Sequence, residues 1–219
     1  MPARPRERLC LFGSGSAGLG LDQNEWQTGH EFFSNFVKLA KMARAYHLRI
    51  VSGGQTGVDR AALRVAVNLG LPYGGWIPRG RWAEDFRNPH GPLDEYRHLR
   101  ETETSDPAER TRLNVRDSDA TLILIPGSNP RLSPGTNLTE VTAREINKPL
   151  LVAQVDKAES GDEIKSWLHK YDDVTSLNVA GPRESQVPGI YVLSCHLLEA
   201  VLRSFPPERV RKMTEAAAE

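Results

Sequence analysis

Residues 48–70, LRIVSGGQTGVDRAALRVAVNLG, decide the fold. LRIVS is a short apolar run typical of a buried strand, and GGQTG is a glycine turn. The residues after it carry apolar side chains at helical spacing up to Gly70, a typical helix-ending residue. A strand, a tight turn and a helix form the unit from which helix-covered parallel sheets are built.

The same alternation recurs along the chain. Apolar runs predict strands at 8–12, 73–77, 120–125, 149–155 and 175–180, and periodic stretches predict helices at 30–47, 136–147, 160–171 and 188–204. Between 71 and 106 the pattern weakens, and after the weak strand we expect a long ordered loop. We therefore predict an α/β fold: a Rossmann-like parallel sheet of about six strands with helices on both faces. It forms a single domain over 1–205, with a strand-helix extension at 8–49 and a tail at 206–219.

The charge balance excludes several classes of protein. Lys plus Arg and Asp plus Glu each number 28, so the formal net charge is zero. A broadly basic nucleic-acid binder is excluded, whereas a local basic pocket is not.

The apolar runs are too short for a signal peptide or a membrane span, and Cys10 and Cys195 lie in apolar runs typical of reduced, buried thiols. We predict a cytoplasmic protein with no nucleic-acid or membrane partner.

Glycine-bearing turns follow four predicted strands, at 13–20, 53–57, 126–136 and 181–189. The carboxyl ends of parallel strands meet at one edge of a sheet, and ligands of such folds bind there. We therefore expect these turns to converge on one binding site.

The sharpest of these turns is GGQTG at 53–57, followed by Asp59. Small residues ahead of a helix let a ligand approach unpaired N–H groups, which suits a phosphate. No Gly-Lys-Ser/Thr follows, and the pattern is not GxGxxG, so a Walker loop and ordinary NAD binding are disfavoured. The alternative is a tight structural turn with no ligand.

Two further turns are candidates for the same site. Ser133, Gly135 and Thr136 precede a helix, where Thr136 is a candidate cap; capping alone would also explain them. Asn178, Gly181 and Arg183 follow another strand, and the Arg183 guanidinium suits an anion, with a purely structural turn as the alternative.

Arginines recur near these turns, at Arg60, Arg79, Arg81, Arg110 and Arg112. Each alone is typical of a solvated surface charge, but together they make an anion pocket plausible. Glu84 and Asp85 suit salt bridges to these arginines better than metal binding, and no metal site is predicted. Asp117 and Asp119 precede a strand, so we expect structural roles for them.

Seven blocks in order carry a family likeness: GGQTGVDRAAL, PRGRWAED, LRET, ERTRLNVRDSDATLIL, SPGTNLTE, KPLLV and LNVAGPRESQVPGIY. Over residues 50–204 the chain resembles the molybdenum cofactor carrier proteins, in the Rossmann-like superfamily that includes the Lonely Guy-type phosphoribohydrolases. Two segments depart from the family pattern, the N-terminal element at 1–49 and an insertion at 86–92.

The resemblance implies a cytoplasmic homo-oligomer, a tetramer or dimer, that binds molybdenum cofactor to store, protect or pass it on. This ligand is a pterin with a phosphate and a dithiolene-held metal, anionic at both ends and held without a Cys ligand. The residues predicted to bind it, or a similar phosphorylated anion, are Gly53, Gly54, Gln55, Thr56, Gly57, Asp59, Arg60, Arg81, Arg110, Ser133, Gly135, Thr136, Asn178, Gly181 and Arg183.

A second likeness, over residues 8–60 and 107–114, is to the Lonely Guy enzymes themselves. Arg110 falls where they place an arginine that contributes to N-glycosidic cleavage of nucleotides. Their catalytic glutamate corresponds to Thr139, and Glu140 is one residue late, about 100° around a helix. We therefore predict no catalytic residue. A hydrolase using Glu84, Asp85, Asp59 or Glu140 as its acid stays an alternative, and so does a nucleotide sensor.

Overall fold

A computed structural model describes residues 48–85, 91–127, 133–171 and 173–203. The strand, turn and helix predicted at 8–12, 13–20 and 30–47, the extension, most of the 86–92 insertion and the tail lie outside these residues. All described residues fall within one compact unit.

The described elements alternate between strands and helices. The strands are β1 (Arg49–Val51), β2 (Tyr73–Ile77), β3 (Leu99–Glu101), β4 (Ala120–Ile125), β5 (Leu150–Gln154) and β6 (Ser176–Ala180). The α-helices are α1 (Val58–Leu69), α2 (Pro107–Arg116), α3 (Pro134–Glu145), α4 (Ser160–Lys170) and α5 (Ile190–Leu202), and a 3₁₀ helix spans Gly91–Asp94.

The strands form a six-stranded sheet in the order β3-β2-β1-β6-β4-β5, and every pairing is parallel. The predicted Rossmann-like α/β fold is confirmed. The last strand of the described residues, β6, lies between β1 and β4, with Asn178 opposite both Val51 and Thr121. Within the stretch predicted as a loop the structure has β3 and the 3₁₀ helix, because a three-residue edge strand is too short to give a periodic signal.

The helices cover both faces of the sheet. On one face α1, α4 and α5 bury their apolar sides against strand residues such as Leu122, Leu124 and Leu177. The alternate strand residues, including Thr121 and Ile123, point to the other face, where α2 and α3 pack together. Among the described helices, none is long and apolar enough to cross a membrane.

Two glycines fix the ends of α1. Gly57 precedes the helix with φ 73°, and Gly70 ends it in the left-handed conformation, donating its N–H to Ala66 and Val67 carbonyls. The helix end at Gly70 follows the sequence prediction. From β1 the chain moves to β2 on one side, and from β4 it moves to β5 on the other. The carboxyl ends of β1, β6 and β4 therefore border the crevice where such sheets bind ligands.

Candidate functional site

A cavity of about 340 Å³ lies at this crevice, between the carboxyl ends of β1 and β6 and the starts of α2 and α3. Eight of the predicted binding residues line it: Gln55, Asp59, Arg110, Ser133, Gly135, Thr136, Gly181 and Arg183. Three of the four turns expected to converge therefore do so, and the turn at 13–20 lies outside the described residues.

An ion pair lines the cavity. Arg110 Nη1 lies 2.9 Å from Asp59 Oδ2, and the two side chains are 15% and 5% exposed. Burial raises the pKa of Asp59 above its ordinary value, although the charge and hydrogen bond of Arg110 oppose this. Arg110 Nε is also buried and has no hydrogen-bond partner in the described part of the chain.

Gly53 leaves room for this pair. A Cβ at Gly53 would lie 1.7 Å from Arg110 Nη1 and 2.8 Å from Asp59 Oδ2. Gly53 therefore acts beneath the site, as the position that lets Arg110 reach across to Asp59.

Arg183 supplies a second guanidinium. Its backbone N–H donates to Gln186 Oε1 at 3.0 Å, but the guanidinium itself makes no hydrogen bond or ion pair with the described residues. Since Arg183 lines the cavity and is only half-buried, its donors are available to an anion there.

Two helix starts border the cavity. The Asp106 carboxylate caps α2 by accepting from Ala108 N–H at 2.9 Å, and Ser133 Oγ caps α3 by accepting from Thr136 N–H at 3.3 Å. The cap of α3 is therefore Ser133, and the expectation that Thr136 caps the helix is wrong, because the helix begins at Pro134. The positive ends of both helix dipoles favour an anion in the cavity.

Gly135 leaves the backbone at the start of α3 open. A Cβ built there would meet nothing within 4 Å, so packing of the described residues does not require glycine. The missing side chain lets a ligand approach the backbone of the first helical turn.

The GGQTG turn contributes less than its sequence suggests, because protein groups already use several of its donors. Thr56 N–H donates to Gln55 Oε1 at 3.1 Å, and Val58 N–H donates to the Pro182 carbonyl at 3.3 Å. The Thr56 hydroxyl donates to the Glu84 carboxylate. Burial alone would raise the pKa of Glu84, but hydrogen bonds from Thr56 and Ser185 outweigh it and hold the pKa below its ordinary value.

Three predicted residues of this region face a second cavity of about 550 Å³, namely Thr56, Gly57 and Arg60. Arg60 pairs with Asp85 at 2.9 Å and donates to the Gly54 carbonyl at 3.0 Å. Asp85 thus forms a salt bridge to an arginine, as expected from the sequence in preference to metal binding. Gly54, with φ 69°, packs close to Leu99 and Ile77.

Arg81 and Asn178 lie away from both cavities. Arg81 Nε pairs with Glu101 at 2.6 Å, beside β3. Asn178 is buried within β6, where its Nδ2 donates to Thr121 Oγ1 at 3.4 Å. Asp119 accepts hydrogen bonds from Thr175 and Ser176, and Asp117 from the Trp76 indole, which is the structural use expected for both acids.

The four acids considered for hydrolysis are separated by the structure. Glu84 and Asp85 line the second cavity, and Glu140 pairs with Arg144 at 2.7 Å without lining the first. Thr139 lines the first cavity instead of Glu140, as the one-residue offset predicts. Asp59 alone of the four shares the cavity with Arg110.

Several lining residues escaped the sequence analysis: Pro107, Ala108 and Thr111 of α2, Leu138 of α3, and Gln186. The Asp106-Pro107 helix start was the available signal for the first three. Within the described ranges no group of three or more His, Cys, Asp or Glu side chains could hold a metal ion.

Comparison with known proteins agrees with the sequence likeness. A model of the circularly permutated YpsA SLOG family matches residues 50–202. The crystal structure of a "putative molybdenum carrier protein" from Syntrophus aciditrophicus is 43% identical, covers 70% of this chain and 94% of its own, and gives a TM-score of 0.63. No curated protein matches the chain significantly. The family likeness stated from the seven sequence blocks is confirmed.

Proposed function

We propose that this chain, which belongs to the circularly permutated YpsA SLOG family, is a carrier that binds molybdenum cofactor or a similar phosphorylated anion in the 340 Å³ cavity. The relative from Syntrophus aciditrophicus, named as a molybdenum carrier, supports this choice of ligand. The volume lies within the roughly 300–1,000 Å³ of small-molecule sites.

The observation that carries the proposal is that two arginines line one cavity in a chain of zero net charge. Arg110 pairs with Asp59 through Nη1, and Arg183 makes no hydrogen bond through its guanidinium to the described residues. Arg110 lines the cavity with a side chain that is 15% exposed, and Arg183 is half-buried, so both can meet an anion there.

The residues present fit the cofactor. The open backbone at Gly135, with Ser133 and Thr136 beside it, suits the phosphate, and the two arginines suit anionic oxygens. The bound cofactor would bring its own dithiolene-held metal as cargo. Cys195, on α5, does not line the cavity, so no thiol of the described residues competes for that metal.

Reversible binding follows from the same contacts. Asp59 pairs with Arg110 before any ligand arrives, so the guanidinium stays oriented and its charge stays partly neutralised. An incoming anion shares Arg110 with Asp59, which limits affinity and favours release.

The homo-oligomer and the cytoplasmic location remain predictions, which light scattering and cell fractionation would test.

Titration calorimetry of the purified protein with molybdenum cofactor, molybdate and AMP tests the function. We expect the cofactor to bind, and Arg110→Ala to weaken it on the order of tenfold or more, the scale of a charge-assisted hydrogen bond. Arg116→Ala is the matched control, because Arg116 ends the same helix and pairs with Asp117 at the surface. A wild type that binds no cofactor, or equal affinity in the Arg110 variant, would refute the carrier function.

A second candidate, hydrolysis of nucleotide N-glycosidic bonds, is favoured by one observation. Asp59 lies beside Arg110 in the cavity, and burial raises the pKa of its carboxyl, as a general acid requires. Release of free base from nucleoside monophosphates, abolished in Asp59→Asn and kept in Glu140→Gln, would support it. No release by the wild type would exclude these substrates.

A further inference from the structure

Trp82 is an exposed aromatic residue at the carboxyl edge of the sheet. It follows β2, in the loop that contains Glu84 and Asp85, and the residue is 50% exposed to solvent. The other two tryptophans of the described chain, Trp76 and Trp167, are less exposed. Trp82 does not itself line the 340 Å³ cavity, so its link to the site is the residue that its ring contacts.

The ring of Trp82 contacts a residue that lines the cavity. Arg183 Cζ lies 5.0 Å from the centroid of the Trp82 ring, a cation–π distance. The stack consumes none of the guanidinium N–H donors, because the interaction is with the face of the ring. Arg183 is thereby left able to bind an anion and to stack a second planar group.

We propose that Trp82 and Arg183 form a recognition element for a planar heteroaromatic ring, so that the cavity selects anions whose phosphate is attached to a pterin or purine. The inference rests on the proposed function, since it assumes that the 340 Å³ cavity binds a phosphorylated ligand. Arg110 and the start of α3 recognise the charge, and the Trp82–Arg183 pair recognises the ring.

The chemistry of the pair explains why a ring is selected. Indole and guanidinium are both flat, and each stacks on heteroaromatic rings with little regard to the pattern of hydrogen-bonding groups on the ring. A sugar phosphate would meet the same arginines but gain nothing from the indole. Discrimination between ring-bearing and ringless phosphates is therefore the property to measure.

The experiment compares GMP with ribose 5-phosphate, which differ only by the base, in titration calorimetry of the full chain. We expect the wild type to bind GMP more tightly. Trp82→Ala should weaken GMP about five- to a hundredfold, the range of base stacking on aromatic side chains, and leave ribose 5-phosphate within twofold. Trp82→Phe should retain most of the affinity for GMP, and Arg110→Ala should lower the affinity for both ligands.

A fluorescence titration gives an independent signal. Stacking of GMP should quench tryptophan emission in the wild type and in Trp167→Phe, but much less in Trp82→Phe. Circular dichroism confirms the fold of each variant, and the exposed position of Trp82 makes unfolding unexpected.

The outcomes separate this inference from the proposed function. If Trp82→Ala weakens both ligands equally, or neither, ring recognition by Trp82 is refuted while the anion site stands. If the wild type binds ribose 5-phosphate as tightly as GMP, or binds neither, the inference is also refuted. The titration with molybdenum cofactor then decides the carrier function by itself.

Discussion

Removing Arg110 should expose the cost of the buried carboxyl beneath the cavity. In Arg110→Ala, Asp59 keeps a side chain that is 5% exposed in the intact pair but loses the cation 2.9 Å away. Breaking one side of a buried pair costs about 3–5 kcal/mol. Because Arg110 is itself 15% exposed and water can enter the space it leaves, we expect the lower end, about 3 kcal/mol. For a domain of this size that lowers Tm by roughly 6–12 °C.

The loss of stability in Arg110→Ala should depend on pH in a definite direction. Burial already raises the pKa of Asp59, and without Arg110 nothing as strong opposes that rise. A carboxyl whose pKa is higher in the folded state holds its proton there, so stability is kept at low pH and lost as the pH rises through the folded pKa. The deficit of Arg110→Ala relative to wild type should therefore be smaller at pH 5 than at pH 8.

Urea denaturation of four proteins at both pH values measures this: wild type, Arg110→Ala, Asp59→Asn and the double variant. We expect the double variant to be more stable than the sum of the single losses predicts, by about 0.5–3 kcal/mol. Its stability should change less with pH than that of Arg110→Ala. Additive losses, or an Arg110→Ala deficit that is the same at pH 5 and pH 8, would show that the pair is not energetically coupled.

The remaining predictions concern glycines and a cap. In urea denaturation, Gly57→Ala should lower the free energy of unfolding by more than about 2 kcal/mol. Gly57 has φ 73°, and a Cβ there would lie 2.4 Å from the Pro182 carbonyl oxygen. Gly135→Ala should raise the free energy of unfolding by about 0.5–1 kcal/mol, since a Cβ there would meet nothing within 4 Å. The same variant should bind a phosphate ligand more weakly in calorimetry, and unchanged affinity would show that Gly135 is not part of the site. Ser133→Ala should lose about 1 kcal/mol with the cap of α3, and no loss in a thermal melt would contradict that role.

The sequence predicted the elements well where a periodic run and its end signals agreed. The helix at 58–69 had both an apolar stripe and Gly70, and the structure reproduces it. The sequence patterns did not predict β3, because Leu99–Glu101 pairs only with β2 at the sheet edge and its three residues show no alternation. Edge strands of this length are defined by their partner strand, which no local pattern encodes.

The site was only partly predictable because neighbouring residues on a helix point to different places. Asp59 and Arg60 are adjacent in sequence, but about 100° of helical rotation separates their side chains. Asp59 lines the cavity with Arg110, whereas Arg60 turns to Asp85 and the second cavity. Only the three-dimensional position of α2 shows which acidic group Arg110 meets, 51 residues away in sequence.

The position of β6 explains how distant sequence blocks make one site. This strand is the last of the described strands but lies between β1 and β4, so its carboxyl end brings Gly181 and Arg183 beside the turn after β1. A Cβ at Gly181 would lie 2.4 Å from the Leu124 carbonyl and 2.5 Å from Val58 Cγ2, which shows how closely these strand ends meet. Since the sheet fixes which strand ends are neighbours, the order of strands along the chain can change while the cavity is preserved. The proposed anion site therefore depends on the sheet order β1-β6-β4 rather than on any single turn, and GGQTG contributes mainly by leaving space for Arg110.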